Sequence, residues 1–122
     1  IQKNELKQIC YGLFKKYSNI KIVILHSPSS ATKTHNMVSE LDLDFVTPSY
    51  TTKTILDVAA LIEQLDVIIS PDTSIVHVAS ALDKPIVSIH ENNKYSFRLW
   101  SPSSTLSKTV FHLQVIILMD LR

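Results

Sequence analysis

The sequence predicts a doubly wound parallel α/β sheet, a fold in which helices cover both faces of parallel strands. The first observation is that apolar residues at helical spacing alternate with short β-branched segments along residues 5–90. The second is that the apolar segment 66–70 leads through a polar turn directly into a helical pattern at residues 75–82. Such alternation implies parallel strands joined by right-handed helical crossovers. We therefore expect one α/β domain.

Each element has its own local pattern. Residues 5–17 repeat apolar side chains at helical spacing, and residues 20–25 have the β-branched composition of a buried strand. Thr54 and Asp57 have the spacing of a capping box, followed by an apolar stripe. The predicted elements are a helix at 5–17, a strand at 20–25, a weakly patterned helix at 33–41, a strand at 45–47, a helix at 54–65, a strand at 66–70, a helix at 75–82 and a strand at 85–90. The tail at 110–121 fits a strand or a helix, and periodicity does not distinguish them.

Composition narrows the class of protein. A chain of 122 residues with 45% hydrophobic content can bury one ordinary core, and a net charge of +1 gives no electrostatic reason to expect nucleic acid or an anionic membrane as partner. No apolar segment approaches the roughly 20 residues of a membrane-spanning helix, and none looks like a signal peptide. The single cysteine, Cys10, excludes an internal disulfide and fits a reducing compartment.

The turn after the strand at 66–70 is the strongest candidate for a binding site. Pro71 restricts the residue before it to an extended conformation, and Asp72, Thr73 and Ser74 are all favourable N-cap residues. We expect unpaired backbone N–H groups and the positive end of the helix dipole to face the crevice beyond the strand. This arrangement predicts a phosphate-binding site.

Residues 69–85, ISPDTSIVHVASALDKP, resemble the donor-binding signature of glycosyltransferase family 9, the bacterial lipopolysaccharide heptosyltransferases. That signature is approximately apolar-Ser-x-Asp-Thr/Ser-Gly/Ser-x-x-His-x-x-Ala-Ala-Leu-x-x-Pro, and order, spacing and strand-turn-helix-strand context all agree. The resemblance extends more loosely over residues 20–102. Ser74 departs from the glycine that many members carry, so its side chain either narrows the approach of a diphosphate or adds a hydroxyl contact.

The resemblance implies a Rossmann-like, donor-binding half of a GT-B glycosyltransferase. The chain starts at Ile1 and enters a helix with no preceding strand, so we expect a fragment, residues 1–122, that lacks the N-terminal acceptor domain. The implied reaction transfers heptose from ADP-heptose to the inner core of lipopolysaccharide on the cytoplasmic side, with the missing domain in peripheral contact with the inner membrane. The family's catalytic base is an acidic residue of that missing domain. The present chain is thus expected to contain no catalytic residue, to need no cofactor or metal besides the nucleotide-sugar donor, and to be inactive alone.

Four candidate donor contacts lie within the signature. Thr73 and Ser74 offer hydroxyls, and His77 lies one turn later on the face of Ser74. We expect Asp72 to cap the helix or to contact a ribose, because its carboxylate would repel a diphosphate. Each has a purely structural alternative. Asp72, Thr73 or Ser74 could only cap the helix, and the His77 ring could be packed or hydrogen-bonded.

Two further candidates lie on loops at the same predicted edge. Lys53 precedes the helix at 54–65 and could neutralise a phosphate, or could be a solvated lysine beside an N-cap. Asn93 lies in the long polar loop 91–102, and loops of that length are often functional. The resemblance implies that this loop borders the donor cleft, where Asn92, Asn93 or Lys94 could reach nucleotide or sugar. For Ser29 and Ser30, in the loop 27–30, an ordinary turn is the favoured interpretation.

The same residues bear on other possible functions. A dinucleotide-binding domain needs a glycine-rich turn, whereas the only glycine here is Gly12, inside a predicted helix. A nucleophile elbow needs small residues beside its serine and a histidine from a distant loop, and Ser74 with His77 meets neither condition. A non-catalytic flavodoxin-like or receiver-like binding module remains an alternative, although His26 and Ser27 stand where a receiver needs acidic residues. A related GT-B transferase using another nucleotide sugar is the third option.

Overall fold

The computed structural model describes residues 2–71, 73–91 and 103–112. The chain forms two compact units, one built on Ile1–Lys53 and the other on Thr54–Ile116. Asp72 and Asn93, together with the rest of the 92–102 loop and the tail after residue 112, lie outside the described residues. No helix among the described residues is both long and apolar enough to cross a membrane.

The first unit packs two helices with a pair of parallel strands. Its elements are α1 (Lys3–Lys16), β1 (Ile22–Ile24), a short 3-10 helix (Pro28–Ser30), α2 (Ala31–Leu41) and β2 (Val46–Pro48). Ile22 lies opposite Val46, and Ile24 lies opposite Pro48. The buried apolar side chains of this unit are Leu6, Cys10, Ile24, Met37, Val38, Leu41 and Val46. Desolvation by this burial raises the pKa of the Cys10 thiol.

The second unit carries a three-stranded parallel sheet. Its elements are α3 (Ile55–Glu63), β3 (Ile68–Pro71), α4 (Ser74–Ala81), β4 (Ile86–Glu91) and β5 (Ser107–His112), with the strands in the order β3-β4-β5. Ile86 in β4 lies opposite Ile68 on one side and Ser107 on the other. The core is formed by Leu61, Ile62, Ile68, Ile75, Val76, Ala79 and Ile86.

The ends of α3 and α4 show why these segments are helical. The Thr54 side chain accepts a hydrogen bond from the Asp57 N–H at 3.3 Å, and the Asp57 carboxylate accepts one from the Thr54 N–H at 3.2 Å. This reciprocal pair is the predicted capping box. At its C-terminal end, α4 stops because Asp83 adopts a left-handed conformation with φ of 50°.

Most of the predicted elements are confirmed, with shifted ends. Every predicted helix and strand from residue 5 to residue 90 is present, and every strand pairing found is parallel. The short helix Pro28–Ser30 was not predicted, because its polar composition is also that of a turn. In the tail, β5 begins at Ser107, ahead of the predicted start, and among the described strands it pairs with β4. The described strands form two sheets, β1-β2 and β3-β4-β5, so a single doubly wound sheet stays a prediction.

Candidate functional site

The site begins where β3 ends and α4 starts. Thr73 is the N-cap of α4, with an extended backbone (φ −141°, ψ 176°), and its Oγ1 accepts a hydrogen bond from the Ile75 N–H at 3.3 Å. Its side chain is half-buried at the carboxyl end of the strand. Among the three N-cap candidates of the sequence, Thr73 is therefore the one that caps the helix.

Ser70 and Thr73 form a short chain of hydroxyl hydrogen bonds. The Ser70 hydroxyl donates its one proton to the Pro71 carbonyl oxygen at 2.9 Å, and its oxygen lies 3.3 Å from Thr73 Oγ1. A hydroxyl has a single proton, so Thr73 is the donor in this second pair. The Thr73 hydroxyl thus accepts from a helix amide and donates to a buried serine, and both of its bonds are long.

The expectation of unpaired amides at this turn is partly wrong. The Ile75 N–H is bound by the Thr73 hydroxyl, and the Val76 N–H donates to the Thr73 carbonyl oxygen at 3.1 Å. Thr73 satisfies these two donors because a residue in the N-cap position presents both its side chain and its carbonyl to the first turn. An anion at this turn would therefore interact with the positive end of the helix dipole and with hydroxyls more than with these two amides.

Ser74 and His77 both lie on the exposed side of α4. Their spacing of three residues puts them on one face of the helix, as predicted. The buried face of α4 includes Val76, which is fully buried, whereas Leu82, at the end of the predicted helix, is 36% exposed. The helix ends at Ala81, so Leu82 does not continue its buried face.

The structure thus brings together three of the six predicted contacts. Thr73, Ser74 and His77 share the first turns of α4. Lys53 is exposed at the end of the first unit and is described with that unit. Asp72 and Asn93 lie outside the described residues, so their roles stay predictions. Within the described residues, no group of three or more histidine, cysteine or acidic side chains could hold a metal ion.

A short row of serine residues, Ser70 and Ser88, joins β3 and β4 next to this turn, and sequence reasoning missed it. Ser70 of β3 lies opposite Ser88 of β4, which lies opposite Thr109 of β5. Ser70 is 3% exposed and Ser88 is fully buried. A serine next to isoleucine in both β3 and β4 was the available signal, but only the strand register shows that Ser70 and Ser88 are neighbours. Ser70 supports the Thr73 hydroxyl directly.

At the opposite edge of the same unit, two charged side chains, Asp83 and Lys84, make hydrogen bonds to neighbouring segments. The Asp83 carboxylate accepts hydrogen bonds from the Thr105 N–H at 2.8 Å and the Thr105 hydroxyl at 3.2 Å. These bonds, the backbone one first, lower the pKa of Asp83. The Lys84 ammonium donates to the Glu63 carbonyl oxygen at 2.6 Å, at the end of α3. The Lys84 amide donates to the Ala79 carbonyl oxygen, and the Asp83 amide donates to the Ser80 carbonyl oxygen. This pair of bonds is the Schellman pattern of helix termination.

Comparison with known proteins places these features in a family. The sequence model of glycosyltransferase family 9 (heptosyltransferase) matches residues 13–113. Comparisons with curated proteins and with solved structures give no significant match. The matched region includes β3, α4 and β4, and therefore the turn that Thr73 caps. Because this match spans most of the 122 residues, the chain belongs to glycosyltransferase family 9.

Proposed function

We propose that this chain is the donor-binding half of a GT-B heptosyltransferase, and that the nucleotide-sugar it binds is ADP-heptose. The observation that carries the proposal is the family match over residues 13–113, which includes Thr73, Ser74 and His77 at the first turns of α4. In the proposed reaction, an acceptor domain outside this chain presents the inner core of lipopolysaccharide at the cytoplasmic face of the inner membrane. That domain also supplies the catalytic base.

The role of this chain is to hold the leaving group. Transfer of the sugar breaks its bond to a nucleoside diphosphate, and negative charge develops on the diphosphate as that bond breaks. Donors fixed in advance around that charge lower the barrier. In this chain the positive end of the α4 dipole and the hydroxyls of Thr73 and Ser74 are the groups suited to it.

Capping and ligand binding are compatible at Thr73. A phosphate oxygen accepts hydrogen bonds, so the Thr73 hydroxyl would donate to it. To do so, its proton would turn away from Ser70 and break their bond of 3.3 Å. Its oxygen would still accept from the Ile75 N–H, and the helix would remain capped. The Ser70 oxygen would lose one long neutral bond, a cost of about 1 kcal/mol or less. A charge-assisted bond to phosphate is about twice as strong as a neutral one.

His77 and Ser74 would extend the site along the exposed face of α4. Both are on the surface of the helix, where the sugar or the second phosphate of the donor would lie. Lys53 and Asn93 are proposed to complete the contacts from their loops, the first by neutralising phosphate charge and the second by hydrogen bonding to nucleotide or sugar. Asp72 is proposed to contact the ribose.

Ligand-observed NMR titration of the chain with ADP, UDP and GDP tests the proposal. We expect ADP to bind selectively, with affinity reduced about tenfold by Thr73→Ala, which removes one charge-assisted hydrogen bond. Thr73→Ser is the matched control, because it keeps the hydroxyl, and should bind like the wild type. Selective binding of UDP or GDP would agree with a glycosyltransferase but would contradict ADP-heptose as its donor.

Loss of all nucleotide binding in the folded wild-type chain would contradict a donor site formed by this chain alone. Titration of Asp72→Ala with ADP and with pyrophosphate distinguishes a ribose contact of Asp72 from a phosphate contact. If Asp72 contacts the ribose, the variant should lose affinity for ADP but not for pyrophosphate. Equal loss for both ligands would contradict the ribose assignment.

A further inference from the structure

The helix α3 has an apolar face that lies open to solvent. Every residue of this helix is apolar except two acidic ones. Leu61 and Ile62 are buried in the core of the second unit, whereas Ile55 is 55% exposed and Leu56 is 76% exposed. A helix that is apolar on all sides is normally buried on all sides. The exposed face of α3 is therefore suited to contact with another surface.

Large and small side chains are separated along this face. At about 100° per residue, four residues fall within an arc of about 140°; they are Ile55, Leu56, Ala59 and Ala60, and we call them the outer face of α3. The two large residues lie in the first turn, and each is followed by an alanine four positions later. The outer face thus has a ridge in its first turn and a shallow recess one turn later.

A second copy of the same helix matches this shape when it runs antiparallel. With a two-fold axis level with Val58, Leu56 of one copy lies level with the partner's Ala60, because each is two positions from Val58. On the other side of the face, Ile55 lies beside the partner's Ala59. The two-fold axis forms both contacts twice, so that the ridge of each copy enters the recess of the other. In a parallel pair the two ridges would meet each other instead.

The charges at the ends of α3 favour the same orientation. Glu63 lies in the last turn, where the negative end of the dipole of its own helix disfavours a carboxylate. In the antiparallel pair, the partner's Glu63 lies at the amino end of α3. That end is the positive end of the dipole, and Lys53 immediately precedes the N-cap there. An acidic residue that is unfavourable in its own helix is therefore favourable beside a second copy.

We propose that the outer face of α3 is a self-association surface that takes a second copy of this chain, with the two helices antiparallel. Four side chains bury far less than the roughly 800 Å² per partner of a stable interface, so the dimer is weak and forms at high protein concentration. The dimer requires no nucleotide. The failure of this proposal would leave the proposed function untouched, and the failure of the proposed function would leave the dimer untouched.

Sedimentation equilibrium of the chain without nucleotide tests the association. From about 10 μM to about 1 mM, the range that suits a small interface, we expect the average mass to rise toward twice that of the monomer. Leu56→Glu should stay monomeric throughout, and its fold should persist because Leu56 is 76% exposed. Leu106→Glu is the matched control, since Leu106 is 65% exposed and lies outside α3; it should associate like the wild type.

Three results would overturn the proposal. The first is a wild-type chain that remains monomeric over the whole range. The second is a Leu56→Glu variant that still associates. The third is an equal loss of association in Leu106→Glu, which would mean that exposed apolar side chains associate without a defined surface.

Nitrogen-15 correlation spectra over the same dilution series locate the contact without any variant. We expect the amide shifts that change with concentration to belong to residues 53–64, the helix α3 with its two ends. Concentration-dependent shifts confined to other elements would overturn the proposal.

Exchange of charges tests the antiparallel orientation. Glu63→Lys and Lys53→Glu should each weaken the dimer about fivefold, because each places like charges together at both ends of the pair. Each change also puts its charge at the favourable end of its own helix, so α3 itself should not be weakened. The double variant restores opposite charges and should recover the wild-type affinity. A double variant as weak as the single ones would overturn the antiparallel pair.

Discussion

At the amino ends of β4 and β5, the Asp83 carboxylate accepts hydrogen bonds of 2.8 Å and 3.2 Å from Thr105, and the Lys84 ammonium donates over 2.6 Å to the end of α3. At the carboxyl end of β3, the Thr73 hydroxyl makes two bonds of 3.3 Å. Both arrangements join a helix end to the sheet of the second unit. The hydrogen bonds at the amino ends involve a charged side chain and include the shorter ones, whereas those at the carboxyl end are neutral and long.

The difference separates two tasks within one small unit. Charge-assisted bonds are about twice as strong as neutral ones. Those of Asp83 tie the end of α4 to the segment before β5, and that of Lys84 ties the end of α3 to the segment before β4. The long hydrogen bond between the Thr73 and Ser70 hydroxyls can be broken at little cost in free energy, so the Thr73 proton can be donated to a ligand instead. The amino edge is therefore suited to stability, and the carboxyl edge is suited to binding. Substitutions at the two edges should accordingly have different effects.

The largest expected loss of stability comes from the core that both edges share. Ile86 is 2% exposed in the central strand, between Ile68 and Ser107. Ile86→Ala should lower the free energy of unfolding by about 3 kcal/mol through lost burial and a residual cavity, whereas Ile86→Val should cost about 1 kcal/mol. Chemical denaturation measures both. A loss below that of Ile86→Val would show that the sheet is loosely packed.

The next effect is at the amino edge. Asp83→Ala removes the acceptor for Thr105 and places alanine at φ of 50°, which disfavours a side chain without a local hydrogen bond. We expect a smaller loss of stability than in Ile86→Ala and no change in nucleotide binding. Asp83→Asn is the matched control, because asparagine tolerates this conformation and keeps one carbonyl acceptor. A change in ADP affinity would contradict the separation of the two edges.

The charge of Asp83 makes this contribution depend on pH. Since Thr105 lowers the pKa of Asp83 in the folded state, the stabilisation is fully present above the ordinary aspartate pKa and is lost as the pH falls through the lowered value. The Tm difference between wild type and Asp83→Asn should be positive at neutral pH and shrink on acidification. A difference that is constant with pH would show that the carboxylate charge is unimportant.

Two matched caps provide the sharpest comparison between stability and binding. Thr54 caps α3 and Thr73 caps α4, each through its side-chain oxygen. Thr54→Ala and Thr73→Ala should each reduce the free energy of unfolding by about 1 kcal/mol. Only Thr73→Ala should also reduce ADP affinity. Equal effects of the two variants on ADP affinity would mean that Thr73 acts through helix stability alone.

The sequence predicted this division only in part, and particular residues show why. The Thr54 capping box and the α4 cap could be predicted because both depend on residues three or fewer positions apart. The contact of Asp83 with Thr105 joins positions 22 residues apart, and the row through Ser70 and Ser88 depends on strand register. Such tertiary contacts leave no periodic pattern. Similarly, Asp83 occupies a position where glycine is usual, so the end of α4 had no glycine to mark it.

The smallest expected effect tests how the Thr73 proton is used. Ser70→Ala removes the oxygen that Thr73 donates to and the hydroxyl that donates to the Pro71 carbonyl. The Pro71 carbonyl and the Thr73 hydroxyl both remain and each loses a neutral hydrogen bond to Ser70, so the loss of stability should be about 1 kcal/mol. The Thr73 proton would then have no competing acceptor in Ser70, so ADP affinity should be equal to or slightly higher than that of the wild type. Weaker ADP binding by Ser70→Ala, with the helix still capped, would mean that Ser70 orients the Thr73 hydroxyl toward the ligand instead of competing with it.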